Sequence, residues 1–204
     1  MSELNYEQIK NNLEEINFKI INACKKAGRK TSDVQLMAVS KFHEKESVIN
    51  AIKSGQFLFG ENRVQEAFLK FSKIKEEYSN INLHIIGNLQ SNKVRDAVKI
   101  SNCIQSVDRL SVLSEIEKQC VRFNKSIDVL FEYHTAEDSK SGFTNTDEIH
   151  IAMNNFLNGK YPHIRPKGFM TMAPFTKDEN EIRKSFSTLR KISLDFQNEY
   201  NTFS

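Results

Sequence analysis

Lys41 ends the short run Met37-Ala38-Val39-Ser40, and an amine at the end of an apolar strand can do covalent chemistry. The period of two along a strand places Lys41 on the face of Met37 and Val39. If that face is an apolar interior, desolvation disfavours the ammonium, and a neutral amine can attack an aldehyde to form a Schiff base. A lysine snorkelling its charge into solvent fits the same position. His84, within Leu83-His84-Ile85-Ile86-Gly87, suits an interior imidazole with one satisfied hydrogen bond better than a general base. Gly87 to Lys93 passes from a strand into a helix, where free backbone N–H groups could hold an anion. An ordinary helix start capped by Ser91 explains that stretch as well. Asp138-Ser139-Lys140-Ser141-Gly142 reads as a polar turn and Cys103 as a core residue. No Ser/His/Asp order, metal-ligand cluster or phosphate loop stands out.

The elements that must position these residues follow from hydrophobic spacing. Ile9, Leu13, Ile16, Ile20 and Ala23 form one helical stripe, predicting a helix over 4–27 that Gly28 closes. A strand over Val34–Val39 and a helix over Glu46–Lys53 come next. The rhythm recurs as Phe57–Phe59 then Glu61–Glu77, Leu83–Ile86 then Ser91–Ile100, and Cys103–Val107 then Arg109–Phe123. Ile127–Tyr133 precedes a helix over Asp147–Phe156, and Gly168–Met172 precedes one over Asp178–Phe196. Strict alternation predicts an α/β chain with a parallel sheet and helical crossovers. No glycine-rich fingerprint follows the first strand, as a dinucleotide-binding sheet would require. Polar groups instead end many strands: Lys41, Glu61-Asn62, Gly87-Asn88, Ser106 to Asp108 and Thr171. That distribution favours a (β/α) barrel, whose site gathers at the C-terminal strand ends, over an open doubly wound sheet.

Composition narrows the class. With 204 residues, 39% of them hydrophobic and 27% charged, the chain can bury a core as one domain over 1–204. A net charge of +3 with interspersed signs gives no basic stripe, so nucleic acid is not expected as a partner. No apolar run reaches the ~18 residues that would span a bilayer, and the polar start is no signal peptide. Cys24, Cys103 and Cys120 are odd in number and unclustered, so reduced thiols in the cytoplasm are the expectation.

Taken in order, six motifs resemble one family. They are Ala38-Val39-Ser40-Lys41; Phe59-Gly60-Glu61-Asn62 with Val64-Gln65-Glu66; and His84-Ile85-Ile86-Gly87 with Leu89-Gln90-Ser91-Asn92-Lys93. Ser106-Val107-Asp108-Arg109-Leu110, Ser139-Lys140-Ser141-Gly142-Phe143 and Met170-Thr171-Met172-Ala173-Pro174 complete the set. The sequence resembles the pyridoxal phosphate homeostasis proteins (YggS type), relatives of the alanine racemase N-terminal barrel, from about Val34 to Pro174. The resemblance implies a single TIM-type barrel that binds pyridoxal 5′-phosphate (PLP) through a Schiff base to Lys41. Asn62, His84, Gly87, Ser106, Met170 and Thr171 then become cofactor-binding candidates. It further implies PLP homeostasis with little or no catalysis, as a monomer or weak homo-oligomer. Racemisation at Cα needs acid/base groups on both faces of the substrate. In the racemases one of these comes from a second domain or subunit.

Two departures from the family shape the expectations. Its members continue past the sixth helix with a Ser-rich strand and a VRIG-like strand, which hold the cofactor phosphate and face the pyridine nitrogen. Residues 1–204 contain neither. A sixth-unit barrel would be open, with the strands starting at Val34 and Gly168 as edges. A weakened phosphate site, or a missing piece supplied in trans, is the expected consequence. On the fifth strand the family reads Gln-Val-Asn and this chain reads Glu132-Tyr133-His134; Tyr133, on the face of Val129 and Phe131, is expected to narrow the barrel. Two other readings stay open: an amino-acid racemase-like PLP enzyme, and a degenerate fragment that pairs through open sheet edges without PLP.

Overall fold

The computed structural model describes residues 5–135 and 141–201, so Asp138, Ser139 and Lys140 of the polar turn lie outside the described residues. Two compact units divide the chain, Met1–Leu83 and His84–Ser204.

The first unit opens with α1 (Tyr6–Lys26). The Asn5 side chain accepts from the Gln8 amide at 2.9 Å while Gln8 Oε1 accepts from the Asn5 amide at 3.0 Å, a reciprocal cap on the first turn. Gly28 follows at φ +63°, as the predicted stop requires. Of the predicted stripe only Ile9 is buried, whereas Ile16 is exposed. Next come β1 (Ala38–Val39), α2 (Lys45–Lys53), β2 (Leu58–Glu61) and α3 (Val64–Glu77). The expected strand over Val34–Val39 is thus only two residues long. A 3₁₀ turn occupies Thr31–Asp33, and the Leu36 carbonyl accepts from Gln56 Nε2 at 2.9 Å instead of from a ladder.

β1 and β2 pair in parallel, Ala38 opposite Phe59 and Val39 opposite Gly60. β3 (Asn82–Ile85) straddles the division, and the Asn82 amide donates to the Phe57 carbonyl at 2.9 Å. The core sits between strand and helix. Phe59 packs on Phe71 of α3 with centroids 5.6 Å apart, and Val48, Ile52, Ala67 and Ile74 are buried around them. Glu61, expected to open a helix, is the last residue of β2 and fully buried, and the helix starts only at Val64.

The second unit continues from β3 through α4 (Val94–Ile100), β4 (Cys103–Val107), α5 (Leu110–Phe123), β5 (Ile127–Glu132), α6 (Asp147–Leu157), β6 (Ile164–Met170) and α7 (Glu179–Tyr200). Ser91 begins a 3₁₀ turn leading into α4 and makes no capping bond, against the expected N-cap. Every pairing is parallel: His84 opposite Cys103, Ile104 opposite Val129, and Glu132 opposite Met170. β6 starts four residues earlier than expected and includes Pro166. Proline lacks the ladder donor and suits a strand paired on one side, and among the described residues β6 pairs only with β5.

Phe131 meets Phe143, Phe156 of α6 and Phe169 at centroid distances of 6.2, 6.4 and 6.0 Å. The face of Val129 and Phe131 is therefore the helix-covered one. The expectation that Tyr133 narrows an interior is corrected accordingly: alternation gives the opposite face to Glu132. Among the described residues no helix is long and apolar enough to cross a membrane.

Candidate functional site

In parallel α/β architecture the loops at the C-terminal strand ends are where ligands are held. In the first unit Lys41 and Asn62 stand at the C-terminal ends of the neighbouring strands β1 and β2. Lys41 is half-buried, and its Nζ lies 6.0 Å from the Phe42 ring centroid. Lys41 and Phe42 are the central residues of a turn closed by the His43 amide donating to the Ser40 carbonyl at 3.1 Å. Phe42 adopts φ +65°, the left-handed region where a turn ordinarily takes glycine, with its ring 71% exposed.

Ser40 is fastened from behind. Its hydroxyl donates to Glu61 Oε1 at 2.8 Å, and its carbonyl accepts from Lys70 Nζ at 2.7 Å. Lys70 also pairs with Glu61 Oε1 at 2.7 Å. Glu61 and Lys70 of α3 thus hold Ser40, the residue before Lys41, on the helix side. Sequence reasoning set Glu61 among the polar groups at strand ends but missed Lys70 and the pairing of the two. A lysine on a helix and a glutamate before one look like solvated charges, and only their mutual burial shows otherwise.

In the second unit the candidates separate. His84 Nδ1 accepts from Gln105 Nε2 at 2.8 Å on the adjoining strand, and burial lowers the imidazole to about 4, opposed by the negative charge of Asp128. The ring is thus a neutral, hydrogen-bonded interior histidine, as the sequence favoured. Gly87 lies just past β3, where Asn88 donates to Asp108 at 3.2 Å. Ser106 of β4 is fully buried, with no partner for its hydroxyl among the described residues. Met170 ends β6 and Thr171 follows it, and β5 lies between β6 and the β4 residue Ser106. The Thr171 hydroxyl donates to the Tyr133 carbonyl at 2.8 Å, so it already ties β6 to β5. Cys103 is a core thiol, pushed by burial to about 12 and so unreactive.

Glu132 is a further group at a strand end. It is 2% exposed, its Oε1 accepts from the Ser141 hydroxyl at 2.9 Å, and Oε2 has no partner among the described residues. Burial first, and then the nearby Asp108, raise its carboxyl above the ordinary range, against the Ser141 hydrogen bond and the charge of His134.

Parallel strands each followed by a helix, with polar groups collected at the C-terminal strand ends, define an α/β protein of the alanine-racemase barrel class. The alanine racemase of Bacillus anthracis shares this fold at 14% identity and a TM-score of 0.72, over 98% of this chain and 48% of its own. PipY of Synechococcus elongatus, solved with PLP bound, superposes with a TM-score of 0.79 at 25% identity, over 95% of this chain and 84% of its own. The pyridoxal phosphate homeostasis protein of Haemophilus influenzae is 31% identical over 94% of this chain and 81% of its own length. The chain belongs to the pyridoxal phosphate homeostasis protein family. No protein-family model matches it.

Proposed function

We propose that this chain holds PLP reversibly as a Schiff base on Lys41, serving cofactor homeostasis in the cytoplasm with little or no catalysis. The observation that carries the reading is the placement of Lys41: a half-buried residue just past the C-terminal end of β1, in a turn whose Ser40 is held by Glu61 and Lys70. Family membership and the PLP-bound relative support it.

The residue types at the strand ends of each unit, taken separately, fit such a group. When bound, PLP supplies an aldehyde carbon that accepts an amine and releases water, with no change of oxidation state. Lys41 must lose a proton before its nitrogen can attack. Asn62 offers an amide donor and acceptor one strand away. In the second unit, considered by itself, Ser106 has a buried hydroxyl with no partner among the described residues, and His84 a neutral imidazole. Gly87, Met170 and Thr171 remain cofactor-binding candidates on the family resemblance.

The test is borohydride trapping of the PLP-treated chain with peptide mass mapping, alongside the absorbance of the adduct. Label on Lys41, lost in Lys41→Ala, is the expected result. Equal label in the alanine variant overturns the assignment. One observation favours a racemase-like second reading: Glu132 is a buried carboxyl at a strand end whose pKa burial raises, a group type suited to proton transfer. Deuterium exchange at Cα of alanine or serine in the PLP-treated chain decides that question, and no exchange leaves the homeostasis reading alone.

A further inference from the structure

We propose that Glu61 and Lys70 are positioning residues for Lys41: a buried ion pair behind β1 that locks the Ser40–His43 turn and so aims the amine. This rests on the reading of Lys41 as the PLP anchor.

Every backbone and side-chain polar group of Ser40 is engaged. Its amide donates to Gly60 O at 3.1 Å and its hydroxyl to Glu61 Oε1 at 2.8 Å, while its carbonyl accepts from Lys70 Nζ at 2.7 Å and from the His43 amide at 3.1 Å. The residue before Lys41 is thereby tied to β2, to α3 and across its own turn. A pair with side-chain exposures of 12% for Lys70 and 0% for Glu61 carries a desolvation cost that its attraction offsets only in good geometry, and a hydrophobic pair would often serve stability better. What the ion pair provides and a hydrophobic pair could not is a fixed donor on the Ser40 carbonyl and a fixed acceptor for its hydroxyl.

Phe42 points to the same conclusion. A bulky residue at φ +65° is strained, and its largely exposed ring recovers little by packing. Such a conformation persists where the surroundings over-determine it, and the four bonds at Ser40 do so. Among the described residues the pair bonds Ser40 and not Lys41, so it acts on the amine through the backbone of the turn.

The test uses the full chain with Lys70→Met, Glu61→Gln, Ser40→Ala and Lys70→Arg. Hydrogen exchange of the His43 amide reads the turn without cofactor. Titration with PLP, followed by adduct absorbance and borohydride mapping, reads the amine. In folded Lys70→Met and Glu61→Gln, His43 exchange should rise and PLP affinity fall, each about tenfold, with core amides such as Val129 unchanged. Ser40→Ala should give a smaller change in the same direction, and Lys70→Arg should recover most of the loss. Wild-type His43 exchange in Lys70→Met or, if that variant does not fold, in Glu61→Gln and Ser40→Ala, overturns the clamp. If the wild-type chain takes no label on Lys41, the PLP reading falls, while His43 exchange still decides whether the ion pair holds the turn. Loosened His43 with unchanged PLP affinity also overturns the positioning role.

Discussion

His84 Nδ1 and Gln105 Nε2 lie 2.8 Å apart on adjacent parallel strands, which makes the ring nitrogen an acceptor and leaves the imidazole proton on Nε2. Burial holds the folded ring at about 4, below the 6.5 of a free histidine. Between those values the unfolded state binds the additional proton, so stability rises with pH there. The contribution is complete above about pH 6.5 and is lost as pH falls towards 4. Its size is on the order of 2 kcal/mol after discounting for partial solvent access. Urea denaturation at pH 7 and 4.5 should show that loss in the wild type and a clearly smaller one in His84→Gln.

Glu132 should act with the opposite sign. Burial raises its folded carboxyl, so between the ordinary carboxylate value and the raised one the native state binds more protons than the unfolded chain. Stability then falls as pH rises through that window. Glu132→Gln removes the titration while keeping an acceptor for the Ser141 hydroxyl. It should be more stable than wild type at pH 8, and by less at pH 5. Denaturation curves at the two pH values check this, and an equal difference at both would refute it.

Gly142 is the tightest approach in the second unit. At φ +127° it brings Phe143 back to β5, with the Phe143 amide donating to Glu132 O at 2.8 Å and the His134 amide to Phe143 O at 2.9 Å. A Cβ there would stand 3.0 Å from both the Glu132 carbonyl oxygen and the His134 nitrogen, two backbone atoms that cannot give way cheaply. Gly142→Ala should cost about 2 kcal/mol or more, read from chemical denaturation, and should speed exchange of the His134 and Phe143 amides.

Alternation of strand and helix was legible because apolar period and chain punctuation agree over most segments; β4 runs over Cys103–Val107 as spacing predicts. The failures lie where side chains replace ladder bonds or where a residue breaks its usual pattern. Gln56 serves the Leu36 carbonyl and shortens β1, and Pro166 with its charged neighbours hides the start of β6. At the site, the position of Lys41 just past β1 was legible from the apolar run that precedes it, while its face was not, because the chain turns at Lys41 and Phe42. The roles of Glu61 and Lys70 were not legible either, because their meaning is a 2.7 Å ion pair between strand and helix that neither position announces alone. Tyr133 misled for a related reason: which strand face meets helices depends on partners such as Phe156, distant in sequence.

Lys125 offers a final check on how single charges stabilise this fold. It follows the left-handed Asn124 that ends α5, and its ammonium crosses to the C-terminal end of α4. There it donates to Val98 O and Ser101 O, each at 2.6 Å, and more weakly to Lys99 O at 3.4 Å. The last turn of a helix leaves carbonyls without intrahelical donors, and a cation suits the negative end of the helix dipole. Burial lowers the Lys125 ammonium from its usual range, yet the hydrogen bonds it makes exist only while a donor stands at that point. Lys125→Met keeps most of the buried stem and removes the donors, leaving partly buried carbonyls unserved; it should cost about 2 kcal/mol. Lys118→Met is the control, because the Lys118 side chain is 73% exposed in its pair with Glu115 and exposed pairs contribute little. It should stay within about 0.5 kcal/mol of wild type. Equal effects of the two substitutions in urea denaturation would show that the contacts of Lys125 with α4 add nothing beyond an ordinary surface charge.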